Sequence, residues 1–261
     1  MKRALDILFP LAVALALLAA WEITVSVKQI PPYILPAPSA IAAALVANWS
    51  SLAAAMLVTI TVTLQGFLGA LIAATLFAIL FSQSRLAERA LYPYAVILQV
   101  TPMVAIAPLI LIWVGFEHID RALALIAGLI AFFPILSNAV QGLKSTDFNL
   151  IDLTRLYGAS RWQTLRHVQL PSALPALLTG MKVGGVIALI GEVTAEFAAG
   201  SGTASGLAWR IVESGNRLEI ATLFAALALL ALTGIVFFAA LSLLEWLALH
   251  RWHESAIRRD A

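Results

Sequence analysis

Apolar side chains fill long stretches of the chain, separated by short polar or proline-rich segments. Six stretches are long enough to cross a bilayer as helices, at about 7–27, 52–81, 91–114, 122–143, 176–196 and 220–249, since a span needs roughly 20 apolar residues. Leu52 to Ser84, Ala90 to Phe116 and Ala122 to Leu143 contain no Asp, Glu, Lys or Arg. One such charge at a helix centre costs about 2.5–3.5 kcal/mol on the insertion scale, so uncharged runs of this length mark membrane spans. The first run, Ile7 to Val27, follows Lys2 and Arg3 as a signal peptide would. Its length suits a full span better than a signal h-region of roughly 7–15 residues, so an uncleaved first helix is expected.

Prolines set the breaks. Pro31, Pro32, Pro36 and Pro38 in "IPPYILPAPSAI" forbid a continuous helix after the first span and predict an extended segment, with Ser39 able to cap a short helix. The third span carries Pro93, Pro102 and Pro108, which predicts a kinked or broken helix. Such a helix suits a pathway lining, with Pro102 and Pro108 as candidate residues, and equally a kink that serves packing alone.

The composition agrees with a bilayer protein: 62% of residues are hydrophobic and 11% charged, against roughly 45–50% and about 25% in soluble domains. A chain of 261 residues without a long polar block leaves no room for a soluble catalytic domain. The net charge of +2 sits in the segments between spans, where it directs membrane orientation; no nucleic-acid partner is expected. Lys2, Arg3, Arg85, Arg89, Lys144, Arg155, Arg161, Arg166, Arg251, Arg258 and Arg259 fall on one side of a six-span topology, and Lys28, Arg121, Arg210 and Arg217 on the other. The positive-inside rule then puts both termini in the cytoplasm. Cysteine is absent, so no disulfide frame or thiolate site can form.

One polar island stands out between the fourth and fifth spans. "KSTDFNLIDLTRLYGASRWQTLRHVQLP", Lys144 to Pro171, predicts two short helices joined at Gly158, a left-handed C-terminal residue. Leu150, Leu153 and Leu156 or Tyr157 recur at helical spacing in the first helix. Ser160 with Gln163 three residues on matches a capping box for the second, whose apolar stripe would be Trp162, Leu165 and Val168 and whose end would be Pro171. An amphipathic cationic knob of this kind lies on anionic headgroups or plugs into a groove on a soluble partner.

The island resembles the cytoplasmic loop of binding-protein-dependent ABC importer permeases, whose pattern is E-A-A, three residues, Gly, nine residues, Ile, any residue, Leu-Pro. Gly158 is followed by nine residues and then by Val168, Gln169, Leu170 and Pro171. The first half departs, with Asp152, Leu153 and Thr154 where E-A-A would stand. "ILPAPSAI", "QVTPMVAIAPLILIWVGF", "FFPILSNAVQGLKSTD" and "AEFAAGSGTASGLAWRI" are similar, in this order, to segments of the permeases for nitrate, sulfonates and taurine, with Ala208 replacing a glycine in the last.

The resemblance implies an all-α polytopic fold of about six transmembrane helices, the type I (MetI-like) permease fold. It implies a single permease domain, 1–261, with a coupling loop at 144–175. The partners it implies are two ABC ATPase subunits, a solute-binding protein and a second permease subunit, expected to be another copy of this chain, in the bacterial inner membrane. Asp152, Gly158, Val168, Leu170 and Pro171 take the motif positions, and Arg155, Tyr157, Ser160 and Trp162 flank them in the expected ATPase contact. ATP and Mg would be held by the ATPase and no cofactor by this chain, which carries no G-x-x-x-x-G-K-S/T cradle. The implied cargo is a small solute of the nitrate, sulfonate or taurine kind, or a vitamin or pyrimidine precursor.

Lys182, Glu192 and Glu196 are the ionisable residues of the fifth span. The two carboxylates, four residues apart, share a helix face; they are candidates for a gate or proton relay, against the alternative of an outer-end position facing water or a subunit interface. Lys182 is expected to snorkel to the surface, and Glu22 to lie at the interface. Gly180 and Gly184 form a G-x-x-x-G pair suited to close helix packing, including between subunits. His250 and His253 have helical spacing, but the nearby Trp246 and Trp252 point to an interfacial belt rather than a metal site. The competing function, an ion- or proton-coupled secondary transporter using Glu192 and Glu196, predicts inverted repeats and discontinuous helices near the midplane, neither of which is found in the sequence. An intramembrane enzyme would need a nucleophile and base set that the spans lack.

Overall fold

The computed structural model describes residues 2–199 and 205–250. Among them are eleven α-helices and no strand: α1 Lys2–Val27, α2 Pro38–Ala47, α3 Trp49–Gln83, α4 Arg85–Val100, α5 Met103–Val114, α6 Ile119–Lys144, α7 Phe148–Leu156, α8 Arg161–Thr164, α9 Leu170–Ala199, α10 Leu207–Asn216 and α11 Ile220–Leu249. Arg251, Trp252, His253, Arg258 and Arg259 lie outside the described residues, as does part of the "AEFAAGSGTASGLAWRI" stretch.

Five helical segments are long and apolar enough to cross a membrane: Leu8–Val27, Trp49–Gln83, Ile119–Lys144, Arg161–Ala199 and Ile220–Leu249. The predicted third span is broken. Helices α4 and α5 meet at Thr101–Pro102 with a bend of 102°. The break falls where Pro102 supplies no N–H and Thr101 takes an extended backbone, while its hydroxyl turns back on the Ile97 carbonyl at 2.6 Å. Pro93 and Pro108 lie inside α4 and α5, so they do not make the break. The 12 residues of α5 reach about 18 Å at 1.5 Å per residue, short of a bilayer core of roughly 30 Å, so α4 and α5 count as a span only together, as one bent pair that brings the number to six.

The chain forms two compact units. One comprises the segment up to Val58 together with Ser205–Ala231. Its core is Leu52, Ala55, Leu207, Ala225, Ala226 and Leu229, with Trp21 edge-on to Phe224 at 6.0 Å. Ser39 is not a cap: Ala37 occupies that position without a side-chain bond, and Pro38 begins α2. Instead, the Ser39 backbone N–H and hydroxyl both donate to the Glu22 carboxylate, at 3.0 and 2.8 Å. A carboxylate from α1 thus satisfies an N–H that the first turn of α2 leaves free.

The second unit comprises Thr59–Ala204 and the chain from Leu232 onward, and is built on α6. Helix α9 packs along α6 through small residues. A Cβ on Gly180 would lie 2.6 Å from the Asn138 Cβ, and one on Gly184 would strike the Ile135 side chain. The G-x-x-x-G pair is therefore filled by the chain's own α6 and not by another subunit. From α3, Gly66 closes on α6 nearer its start, where an added Cβ would lie 2.5 Å from the Ala124 carbonyl oxygen. Lys182 does not snorkel either; its ammonium pairs with Glu245 of α11 at 2.5 Å.

Candidate functional site

The polar island folds as two helices held at an angle by one glycine. Asp147 caps α7 by accepting the Asn149 N–H at 2.9 Å. At the other end the Ala159 N–H reaches the Thr154 carbonyl and Gly158 takes φ +73°, the left-handed turn predicted for it. Ser160 and Gln163 then make the predicted capping box, with bonds of 3.3 and 2.7 Å. Three consecutive sequence signals thus fix the chain direction at the elbow.

The second helix does not end at Pro171. It passes through a π-type turn at Leu165–Gln169 into α9, giving one helical segment from Arg161 to Ala199. Pro171 can donate no bond and its ring would crowd the carbonyl four residues back; widening that turn, with the Leu170 N–H bonding to the Leu165 carbonyl, relieves the conflict. The predicted stripe of Trp162, Leu165 and Val168 also separates. Leu165 is fully buried in the second unit's core, Val168 is half-buried and Trp162 is exposed. Leu165 therefore anchors the elbow, and a hydrogen bond of 3.0 Å between the Thr154 and Thr164 hydroxyls ties its two arms. Neither threonine was legible as a fastener, because the pairing joins residues ten apart across a bend.

The apolar stripe of α7 points away from the bundle. Phe148, Leu156, Tyr157 and Trp162 are 76%, 85%, 84% and 61% exposed, with Leu150 and Leu153 between them about half exposed. Asp152 sits on this surface in an ion pair with Arg155 at 3.0 Å. Leu170 and Pro171 lie at the start of α9, behind the elbow. The structure thus groups Asp152, Arg155, Tyr157, Gly158, Ser160 and Trp162 on one protrusion, and sets Val168, Leu170 and Pro171 in the stem that joins it to a membrane helix.

The candidate pathway residues are not gathered in this way. Pro102 flanks the break between α4 and α5, beside a cavity of about 370 Å³ whose polar lining is Gln99, Thr101 and Thr194. Pro108 lies further along α5 and does not line it. Glu192 is seven residues after Gly185, which packs against Phe237 and Leu241 of α11 and Phe67 of α3. The two share a helix face, directed into the bundle. Glu192 is 0% exposed, with neither carboxylate oxygen hydrogen-bonded among the described residues, and Glu196 is buried beside it. His250 stacks on Trp246 at 4.5 Å, and among the described residues no three or more His, Asp or Glu side chains are grouped so as to hold a metal.

The chain is 36% identical to the riboflavin transport system permease protein RibX of Chloroflexus aurantiacus over 92% of its own length and 88% of the relative's. It is 32% identical to the formylaminopyrimidine transport permease protein ThiX of Halalkalibacterium halodurans, over 94% and 96%. A crystal structure of an amino acid ABC transporter with histidines superposes with a TM-score of 0.62 at 16% identity, covering 77% of this chain and 95% of that one, which establishes the fold. Residues 65–248 match the family described as the inner membrane component of binding-protein-dependent transport systems. With its apolar helices, its MetI-like all-α architecture and the elbow between α6 and α9, the chain belongs to that family, the membrane-spanning permease subunits of ABC importers.

Proposed function

We propose that the α7–α8 elbow is the coupling element through which a separate ATPase drives this permease. The observation that carries this is the outward apolar stripe of Phe148, Leu156 and Tyr157 on an elbow fixed by Gly158 and the Ser160 capping box. A rigid hydrophobic protrusion is suited to a groove on a folded partner. Two copies of the chain would form the path, two ATPase subunits would bind the two elbows and hold ATP and Mg, and this chain would bind no cofactor. A binding protein would deliver the solute from outside. The excess of cations on the elbow's side of the spans favours an inner-membrane orientation with both termini cytoplasmic. An ATPase that gripped both conformations equally could not shift them, so closure must favour one position of the elbow.

The chain contains no cysteine, so single cysteines report cleanly. Tyr157→Cys and Trp162→Cys should cross-link to the co-expressed ATPase, whereas Trp113→Cys on exposed α5 should not. Labelling of both elbow cysteines by a lipid-headgroup reagent, without any ATPase adduct, would refute the docking.

For the cargo we infer a small heteroaromatic solute of the vitamin or vitamin-precursor class. Two permeases carrying riboflavin and formylaminopyrimidine in their names match more than nine-tenths of this chain; the taurine permease TauC of Escherichia coli matches 91% of it at 28% identity. Melting shifts of the cognate binding protein with riboflavin, a formylaminopyrimidine and taurine decide among them. A shift with taurine alone would reject the heteroaromatic assignment.

A further inference from the structure

A second cavity, of about 410 Å³, lies between α7, the start of α8 and the α3–α4 junction. Its lining brings together three arginines from separate elements: Arg85 at the start of α4, Arg155 on α7 and Arg161 at the start of α8. No carboxylate lines it, and Ser82, Thr164 and Gln169 add neutral polar groups. Only Arg155 has an acidic partner, Asp152. Arg85 and Arg161 have no ion pair with any described residue. Three cationic side chains around one cavity make it attractive to an anion, and the guanidinium fork matches the oxygens of a phosphate.

The height of the cavity narrows the class of anion. Helix α3 carries no charged residue from Trp49 to Gln83, and Arg85 is the first charge after it. The cavity therefore sits where the apolar span meets the polar layer, the level of lipid phosphates. Basic pockets between helices at this depth suit anionic headgroups. The fully apolar, exposed Leu86 beside Arg85 gives an acyl chain a surface to follow.

We propose that Arg85, Arg155 and Arg161 form a phosphate-binding site behind the elbow, occupied by an anionic lipid headgroup or by free phosphate. A bound phosphate bridges α4, α7 and α8 and so braces the elbow against the membrane helices. Binding requires no ATPase, so the test uses the full chain alone, and its failure leaves the docking proposal untouched.

The measurement is arginine modification by phenylglyoxal, mapped by mass spectrometry on wild-type protein in neutral detergent at constant ionic strength. Inorganic phosphate and nanodiscs of phosphatidylglycerol are added in separate arms, with phosphatidylcholine nanodiscs as the zwitterionic control. Arg85 and Arg161 should be modified at least fivefold more slowly with one or both phosphate sources, while Arg89 and Arg166, outside the cavity, keep their rates. Protection by phosphatidylglycerol alone identifies a headgroup, and protection by inorganic phosphate identifies a free anion; either supports the site. Arg85→Gln and Arg161→Gln should each weaken the midpoint of any thermal stabilisation by that probe by roughly tenfold. Equal protection at Arg89 and Arg166, no protection in either arm, or protection only after the ATPase is added would overturn the proposal. The last result would assign the cavity to an acidic side chain of that partner.

Discussion

Lys182 of α9 and Glu245 of α11 form an ion pair at 2.5 Å, with only 19% of either side chain exposed. The pair lets two membrane helices carry charge on side chains that are largely buried. Removing one partner leaves the other unmatched, a loss of about 3 kcal/mol or more. Lys182→Met and Glu245→Leu should therefore each lower the melting temperature in detergent, while the double variant recovers most of the loss. A double variant that melts no higher than the worse single one would show that the charges do not act as a pair.

Gly158 holds φ +73°, with nothing within 4 Å of where a Cβ would lie. A substitution there meets a conformational penalty and not a collision, about 1–2 kcal/mol for a residue that resists the left-handed region. Gly158→Val should abolish ATP-driven transport and ATPase stimulation in reconstituted vesicles while the protein still inserts. Gly158→Asn, which tolerates that backbone, should retain most of both. Normal coupling in the valine variant would remove the elbow's geometry from the mechanism.

The sequence displayed what depends on local chemistry. Uncharged apolar runs located the spans, and Gly158, Ser160 and Gln163 described the elbow because caps act within four residues. Features set by distant partners were hidden. Lys182 was expected at the surface because Glu245 is 63 positions away and only the fold brings α11 beside α9. Pro171 was expected to stop a helix, as it would without the wider turn that absorbs it. Leu150, Leu153 and Leu156 or Tyr157 could be recognised as a stripe, but the face it presents is set by the burial of Leu165, which anchors the elbow.

Two glycines of α3, three residues apart, should respond in opposite ways. A Cβ on Gly66 would lie 2.5 Å from the Ala124 carbonyl oxygen and 2.9 Å from the Ala127 Cβ, whereas one on Gly69 meets nothing within 4 Å. Gly66→Ala must push α3 off α6 backbone and should destabilise by about 1–3 kcal/mol. Gly69→Ala should be neutral or stabilising by up to about 1 kcal/mol, because alanine is the better helix former. Thermal unfolding of the two variants in one detergent compares them directly, and similar melting temperatures would contradict the close α3–α6 approach.

Glu192 combines full burial with two carboxylate oxygens that meet no donor among the described residues. Thr63 on α3 is likewise buried with an unpartnered hydroxyl. Gly66 and Gly191 both close on Ala127, from α3 and α9, so Thr63 and Glu192 lie within about one helical turn of each other along the bundle. Unmatched polar groups in a packed interior destabilise the conformation that contains them, by about 1–3 kcal/mol each. A group retained on those terms is expected to find its partner in another conformation of the transport cycle. Glu192→Met should then hold or raise the melting temperature while slowing reconstituted transport at least tenfold, and Thr63→Val should act in the same direction more weakly. A variant that melts lower yet transports normally would instead make Glu192 a structural residue, satisfied by bound water in the conformation described.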